Sequence, residues 1–269
     1  MGNKQKITAL LQDTLLPSVH IDVVQEDTSC LESKFGGIFY LPQGEQIPVC
    51  PEGEQMQFLA QINFAELPPL PGFPREGIVQ FFLDTNEARF YDKIDDEESA
   101  RELYTVRYYP KPDAACQQNP TLENTDIDEH LSIDWKDGKM QFETVSEVAT
   151  FYVGEDCVAD MGYAHVWETL TPALVKKAGY DLENWEDDTD DFCWDFGNWG
   201  CKVGGHPAFK SFDARIDHET YQPYETLLFQ YDFATREEFE EDTFSFFIRP
   251  EDLANCRFDD VLMIWQNCF

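Results

Sequence analysis

Phe58-Leu59-Ala60-Gln61-Ile62-Asn63-Phe64 reads as a strand. Phe58, Ala60, Ile62 and Phe64 fall on one face at the period of two that a pleated strand imposes, with Leu59, Gln61 and Asn63 on the other. The same pattern returns late in the chain as Leu227-Leu228-Phe229-Gln230-Tyr231-Asp232-Phe233. Working outward, Lys34-Phe35-Gly36-Gly37 precedes the first stretch and Lys202-Val203-Gly204-Gly205 the second. Val79-Gln80-Phe81-Phe82-Leu83 follows the first and Phe244-Ser245-Phe246-Phe247-Ile248 the second. A short acidic helix signal comes next in each case, and then a further strand, over 104–109 and over 261–268. Four matches in one order imply an internal duplication. The unit is a Gly-Gly turn, strand, loop, strand, short helix and strand.

This pattern predicts an α+β fold, mainly antiparallel sheet, in one domain over 1–269. Its two related halves cover about 34–109 and 202–268, with a central insertion over about 110–200. Residues 1–16 read as an amphipathic helix ending at Pro17. Asp137-Gly138, between Ile133-Asp134-Trp135 and Met140-Gln141-Phe142, reads as a hairpin turn. Residues 165–178 read as a helix closed by Gly179.

The chain has 53 acidic and 19 basic residues among 269, a formal net charge of −34. That field repels nucleic-acid phosphates and anionic membranes and attracts polycations. With 22 phenylalanines and 42% apolar residues, the chain has enough apolar area to fold. No apolar run approaches the roughly 18 residues of a membrane span. No secretory signal is legible over 1–16, where Thr8, Gln12, Asp13 and Thr14 interrupt the apolar run. The eight cysteines include no C-x-x-C pair, so the expectation is a cytoplasmic protein with all its thiols reduced.

Ser33-Lys34-Phe35-Gly36-Gly37, Leu41-Pro42, Pro48, Cys50 and the run from Met56 to Pro68 resemble the YwqG-like family, a bacterial domain of unknown function. The resemblance continues through Lys202 to Pro207, Phe209, Asp213, Arg215, Leu227 to Gln230, Phe246 to Ile248 and Asp260 to Cys268. Family members often carry a second cysteine in a Pro-x-Cys-x-x-Cys-Gly context, where Gly53 stands here, which argues against a cysteine-based metal site. Glu240-Glu241-Asp242-Thr243 replaces a Trp-Gly-Asp-x-Gly turn of that family. The resemblance implies a fold more than an activity.

Cys193, Cys201 and His206 are spaced too loosely for structural zinc and lack a fourth ligand, so no metal is expected. Asp187, Asp188, Asp190 and Asp191 form an acidic loop without the mid-loop glycine of a calcium-binding EF-hand. No serine or histidine stands in a recognisable catalytic motif, and Gly36-Gly37 and Gly204-Gly205 lack the other parts of a phosphate cradle. No cofactor is expected. Gln61, Asn63, Gln230 and Asp232 occupy matching positions, as required hydrogen bonds would, and mark a candidate cleft between the halves. The leading functional expectation is a non-catalytic acidic binding protein for a basic protein partner, like an immunity protein, using Asp187, Asp188, Asp190 and Asp191. The alternative is an enzyme or small-ligand binder with its site between the repeats.

Overall fold

The computed structural model describes residue 9 and residues 12–113, 136–148, 197–209, 213–215, 218–233 and 243–266. Ten strands form one antiparallel sheet. They are β1 (Leu16–Val24), β2 (Lys34–Phe35), β3 (Gln57–Asn63), β4 (Ile78–Leu83) and β5 (Tyr104–Tyr109), then β6 (Gly138–Glu147), β7 (Lys202–Gly204), β8 (Thr226–Tyr231), β9 (Thr243–Ile248) and β10 (Val261–Gln266). Among the described residues, three short helices accompany them: α1 (Glu87–Lys93), α2 (Glu97–Ala100) and α3 (Pro250–Ala254).

The strand order is β10-β9-β8-β7-β1-β6-β2-β3-β4-β5. From the central pair β1/β6, four strands run outward on each side. The two flanks carry a register shift at matching places, between Phe58 and Ala60 in β3 and between Leu227 and Phe229 in β8. Such a bulge increases local twist and bends the strand. It also turns Leu59 and Leu228 to the interior with Ala60 and Phe229, so Leu59 does not share a face with Gln61 as simple alternation predicts.

The sheet curls until its two edges meet. Phe81 of β4 touches Phe229 of β8 at 4.7 Å between ring centroids, although five strands separate them in the sheet. Phe81 also meets Phe246 of β9 at 4.7 Å, and Phe35 meets Phe229 at 6.3 Å. At the seam, the Tyr104 hydroxyl at the start of β5 donates to the Val261 carbonyl at the start of β10 (2.8 Å). The architecture is a nearly closed, mainly-sheet barrel, not the α+β fold expected from the sequence. Helical signals after β4 and β9 inflated that expectation; the helices they encode have only four to seven residues.

Two further apolar clusters lie on the outer face. Phe39, Leu41, Ile47, Cys50, Met56, Phe58 and Phe82 form one; Phe209, Tyr224, Leu227, Phe247, Leu262 and Ile264 form the other. Outer clusters cover one face of β4 and β9 and the barrel interior buries the other, so every residue of these strands is buried. That explains their nearly continuous apolar runs.

Of the helix expected over 1–16, residues 1–8, 10 and 11 lie outside the described residues. Residues 12–14 make a single 3₁₀ turn, and Leu16 opens a nine-residue strand. Pro17 is tolerated there because the β1–β7 ladder begins only at Ser18, so no bond on that side needs its missing N–H. Met140, Gln141 and Phe142 belong to β6, whose neighbours are β1 and β2; residues 133–135 of the expected hairpin lie outside the described residues. The expected helix over 165–178 lies outside the described residues. Among the described residues, no helix is long and apolar enough to cross a membrane.

Phe81 and Phe229 carry the contact that closes the barrel. Phe81→Ala and Phe229→Ala are each expected to cost about 3–5 kcal/mol, read as a lower denaturant midpoint. Tyr91→Ala, at a half-exposed ring on α1, should change the midpoint far less.

Candidate functional site

Lys34 of β2 pairs in register with Gln61 of β3, and Lys202 of β7 with Gln230 of β8. All four side chains are completely buried. A strand interior offers them no partners, so loops packed on the outer face must supply acceptors and donors.

In the first half, the Gln61 amide donates to the carbonyls of Cys30 and Glu32, both at 2.9 Å, and its oxygen accepts from the Tyr40 N–H at 2.8 Å. Lys34 donates to the carbonyls of Ser29 and Ile38. Gln80 of β4 donates to Tyr40 O (2.6 Å) and to the Gln61 oxygen (2.8 Å). In the second half, the Gln230 oxygen accepts from the Ala208 N–H at 2.8 Å, and its amide donates to the carbonyls of Gly200 and Asn198. Lys202 donates to the Asn198 carbonyl (2.5 Å). These are two matching cradles, each tying a loop to the outside of the barrel.

Asn63 donates to the Leu31 carbonyl and accepts from the Ala65 N–H. Asp232 accepts from the Gly200 N–H and from the Thr243 hydroxyl. All four candidate residues thus reach loops of their own half. The contacts that join the halves run through Phe35, Phe81, Phe229 and Phe246, on the opposite strand face.

The second cradle contains an ion cluster. Glu147, at the end of β6, accepts from His20 Nε2 at 2.5 Å, Lys202 Nζ at 3.1 Å and the His206 N–H at 2.9 Å. Burial alone would raise this carboxyl, but the bonds from His20 and Lys202 outweigh it and hold the group below its ordinary range. A Cβ at position 205 would lie 2.1 Å from Glu147 Oε2, so Gly205, at φ +73, is required there on both counts. Burial holds the His206 ring neutral, and its Nε2 bonds the Thr14 carbonyl at 2.7 Å. Cys201 bonds the Asp232 carbonyl. Two of the three residues weighed for zinc are therefore engaged in separate backbone contacts, and Cys193 lies outside the described residues.

Cys50, Glu52 and Asp84 bring possible ligand atoms within 4.8 Å of one another. Two cations already serve this group. Arg89 donates to both Asp84 oxygens, at 2.7 and 2.8 Å, and Lys93 donates to Glu52 at 3.0 Å. The trio is best read as the acidic side of an ion-pair network beneath α1. Cys30 is disulfide-bonded, whereas Cys50, Cys201 and Cys256 are in no disulfide. This corrects the expectation that all eight thiols are reduced. Scattered cysteines without close spacing give no sequence signal for such a pair.

A groove of about 530 Å³ at the barrel seam is lined by both halves. Val106, Arg107, Tyr108 and Tyr109 of β5 form one side, and Cys256, Phe258 and Asp259 the other. A smaller hollow of about 240 Å³ continues it past Val106 and Phe258 to Tyr104 and Val261. Tyr108 and Phe258 touch at 4.4 Å between ring centroids. The Tyr109 hydroxyl donates to Glu45 (2.9 Å), and burial with that bond pushes it up to about 12. Sequence reasoning missed this groove because it is built by segments about 150 residues apart. Asp187, Asp188, Asp190 and Asp191, the candidate acidic loop, lie outside the described residues.

Residues 33–268 match the family described as a domain of unknown function, DUF1963, and the chain belongs to that family. The match begins beside Lys34 and spans the buried lysine and glutamine of each cradle and both walls of the seam. No curated protein matches the chain.

Gln61→Leu and Gln230→Leu should each leave buried backbone groups unpaired and cost about 1–3 kcal/mol, measured by denaturant unfolding. Lys34 gives a pH signature. Burial lowers it from its ordinary 10.5 to about 8. Between those values the unfolded chain holds the proton and the folded chain does not, so folding gains as pH rises. Relative to Lys34→Met, the wild type should gain up to about 3 kcal/mol between pH 8 and 10.5. A constant difference across that window would mean that Lys34 stays charged in the fold.

Proposed function

We propose that this member of the DUF1963 family is a non-catalytic acidic binding protein whose partner is a basic protein, acting in the manner of an immunity protein. The observation that carries this reading is the net charge of −34, taken with where the described cations sit. Arg89, Lys93, Arg101, Lys139, Lys202, Arg215, Arg249 and Arg257 all pair with carboxylates of the same chain. Internal pairing occupies these eight cations and leaves the excess carboxylates to set the outward field. The buried titratable groups, Lys34, Lys202, Glu147 and His206, face loops and one another, as groups with a structural role do.

A second reading has one specific observation in its favour. The seam groove is lined by both halves, which suits a small-ligand site between the repeats. The matching flanks of the sheet also support an origin by duplication of one unit.

Long-range attraction acts on encounter, so it shows in the association rate and its salt dependence. The test begins with capture of a partner from native lysate at low salt and proceeds to kinetics. The association rate should fall about tenfold or more between roughly 0.02 and 0.5 M salt. Reversing Asp187, Asp188, Asp190 and Asp191 to Lys should slow association far more than it speeds dissociation. Rates indifferent to salt and to the reversal would reduce the acidity to a device for solubility.

A further inference from the structure

We propose that the seam groove is a docking site for one extended segment of a basic polypeptide, which adds to the barrel as an extra strand on the free edge of β5. This rests on the proposed basic partner and names the place where it is held.

Among the described residues, β5 pairs on one side only, with β4. Asp84 N–H donates to the Leu103 carbonyl at 2.7 Å. Hydrogen-bonded and non-hydrogen-bonded pairs alternate along an antiparallel ladder. Thr105, Arg107 and Tyr109 therefore bond β4, and the backbone N–H and C=O groups of Tyr104, Val106 and Tyr108 face the seam. These are the residues that line the groove and its continuation.

Among the described residues, the two edges of the sheet are covered unequally. Tyr104 and Val261 hold matching positions, opposite Leu83 and Ile248. The connection from β4 to β5 spans residues 84–103, whereas that from β9 to β10 spans 249–260, eight residues fewer (20 against 12). The longer one carries α1, which packs Phe90 and Tyr91 against Trp265 of β10 at 5.3 and 5.7 Å. The shorter one carries only the five-residue α3. Beside β5 it leaves the 530 Å³ groove. An uncovered strand edge is a template for another strand.

The lining specifies the guest. Tyr104, Val106 and Tyr108 direct their side chains to the apolar interior, with Phe258 opposite. A strand laid on β5 would place every second residue over these groups. Its other residues would lie beside Arg107 and Tyr109 on the outer face. There Arg107 is already held by the Gln46 carbonyl and faces Glu45, while Asp259 is exposed on the far wall. The uncompensated charge at the rim is negative, so the guest alternates apolar residues with Lys or Arg over about six positions, the length of β5. A second copy of this chain, at −34, is repelled.

The probe is a labelled eight-residue peptide of alternating Val and Lys, with a Val/Glu peptide and a Val/Lys peptide interrupted by Pro as controls. Affinity is read by fluorescence anisotropy on the full chain, and amide hydrogen exchange locates the bound strand. The Val/Lys peptide should bind, slow exchange at Val106 and Tyr108, and bind about tenfold more tightly than either control. Asp259→Lys should weaken it several-fold with unchanged thermal stability. Val106→Pro removes an N–H that faces the groove and should abolish binding. If that variant unfolds, Asp259→Lys and the exchange pattern still decide. No binding at about 1 mM peptide, or binding without protection of β5, overturns the proposal. A basic protein that binds without protecting β5 overturns it and leaves the proposed function standing. Equal affinity for the Val/Glu peptide, with β5 protected, keeps the strand site and removes the basic partner. Protection of β5 by self-association or by a small molecule alone also overturns it.

Discussion

Two ammonium groups buried to zero exposure, Lys34 and Lys202, constrain this fold more than any other interaction. An isolated buried ammonium is prohibitive, so each must be ringed by acceptors before the chain can close around it. Lys34 draws in the 29–38 loop through two carbonyls, and Lys202 draws in Asn198 and Glu147. The cross-strand glutamines complete each ring by holding the same loops. The segments that follow those loops cover the outer faces, Phe39, Leu41 and Ile47 over Phe82 of β4 and Phe209 and Tyr224 over Phe247 of β9, and this coverage permits the apolar runs of these strands. The polar cradles and the phenylalanine interior are therefore two sides of the same strands.

The two cradles are alike in plan and different in charge. Lys34 is solvated by carbonyls, whereas Lys202 shares Glu147 with His20. The difference follows from β1 and β6, which exchange places between the flanks: Lys202 stands opposite His20, and Lys34 opposite Lys139. Lys139 in turn pairs with Glu32, which the Lys139 and Ser29 bonds hold near 2. Each half thus places a side chain of the central pair, His20 or Lys139, on a carboxylate, but only in one half is that carboxylate also the lysine's partner.

Much of the sheet was legible in the sequence. The strands over 57–63, 78–83 and 104–109 follow from alternation and from Gly/Pro punctuation, and the Gln61 and Gln230 signal pointed to residues that are indeed buried and fully engaged. Local pattern does not carry closure. Curling depends on bulges at Phe58/Ala60 and Leu227/Phe229, which simple alternation hides, and on Phe81 meeting Phe229 across the barrel. The helix expected over 1–16 runs up to Pro17, yet Leu16 and Pro17 open β1, whose pairing with β6 over nine residues overrides that boundary. The lysines were visible only as members of a repeated motif, since a buried lysine looks like any surface lysine until its acceptors are placed.

The seam is where symmetry, charge and covering meet. A barrel with an even number of alternating strands can close antiparallel, and here the edge strands are held by side chains instead: Tyr104 on the Val261 carbonyl, and Arg101 on that carbonyl and on Asp260. Asp260 also takes Arg249 and the Tyr224 hydroxyl, so its carboxylate is fully committed and stays low against the upward pull of burial. Side-chain clasps of this kind fix the edges relative to each other without using the backbone groups between them. The backbone of β5 beyond Tyr104 therefore keeps its hydrogen-bonding capacity at the mouth of a groove whose walls belong to both halves. In a chain whose described cations are largely paired within itself, that is a place where strand pairing and electrostatic attraction can act on the same guest.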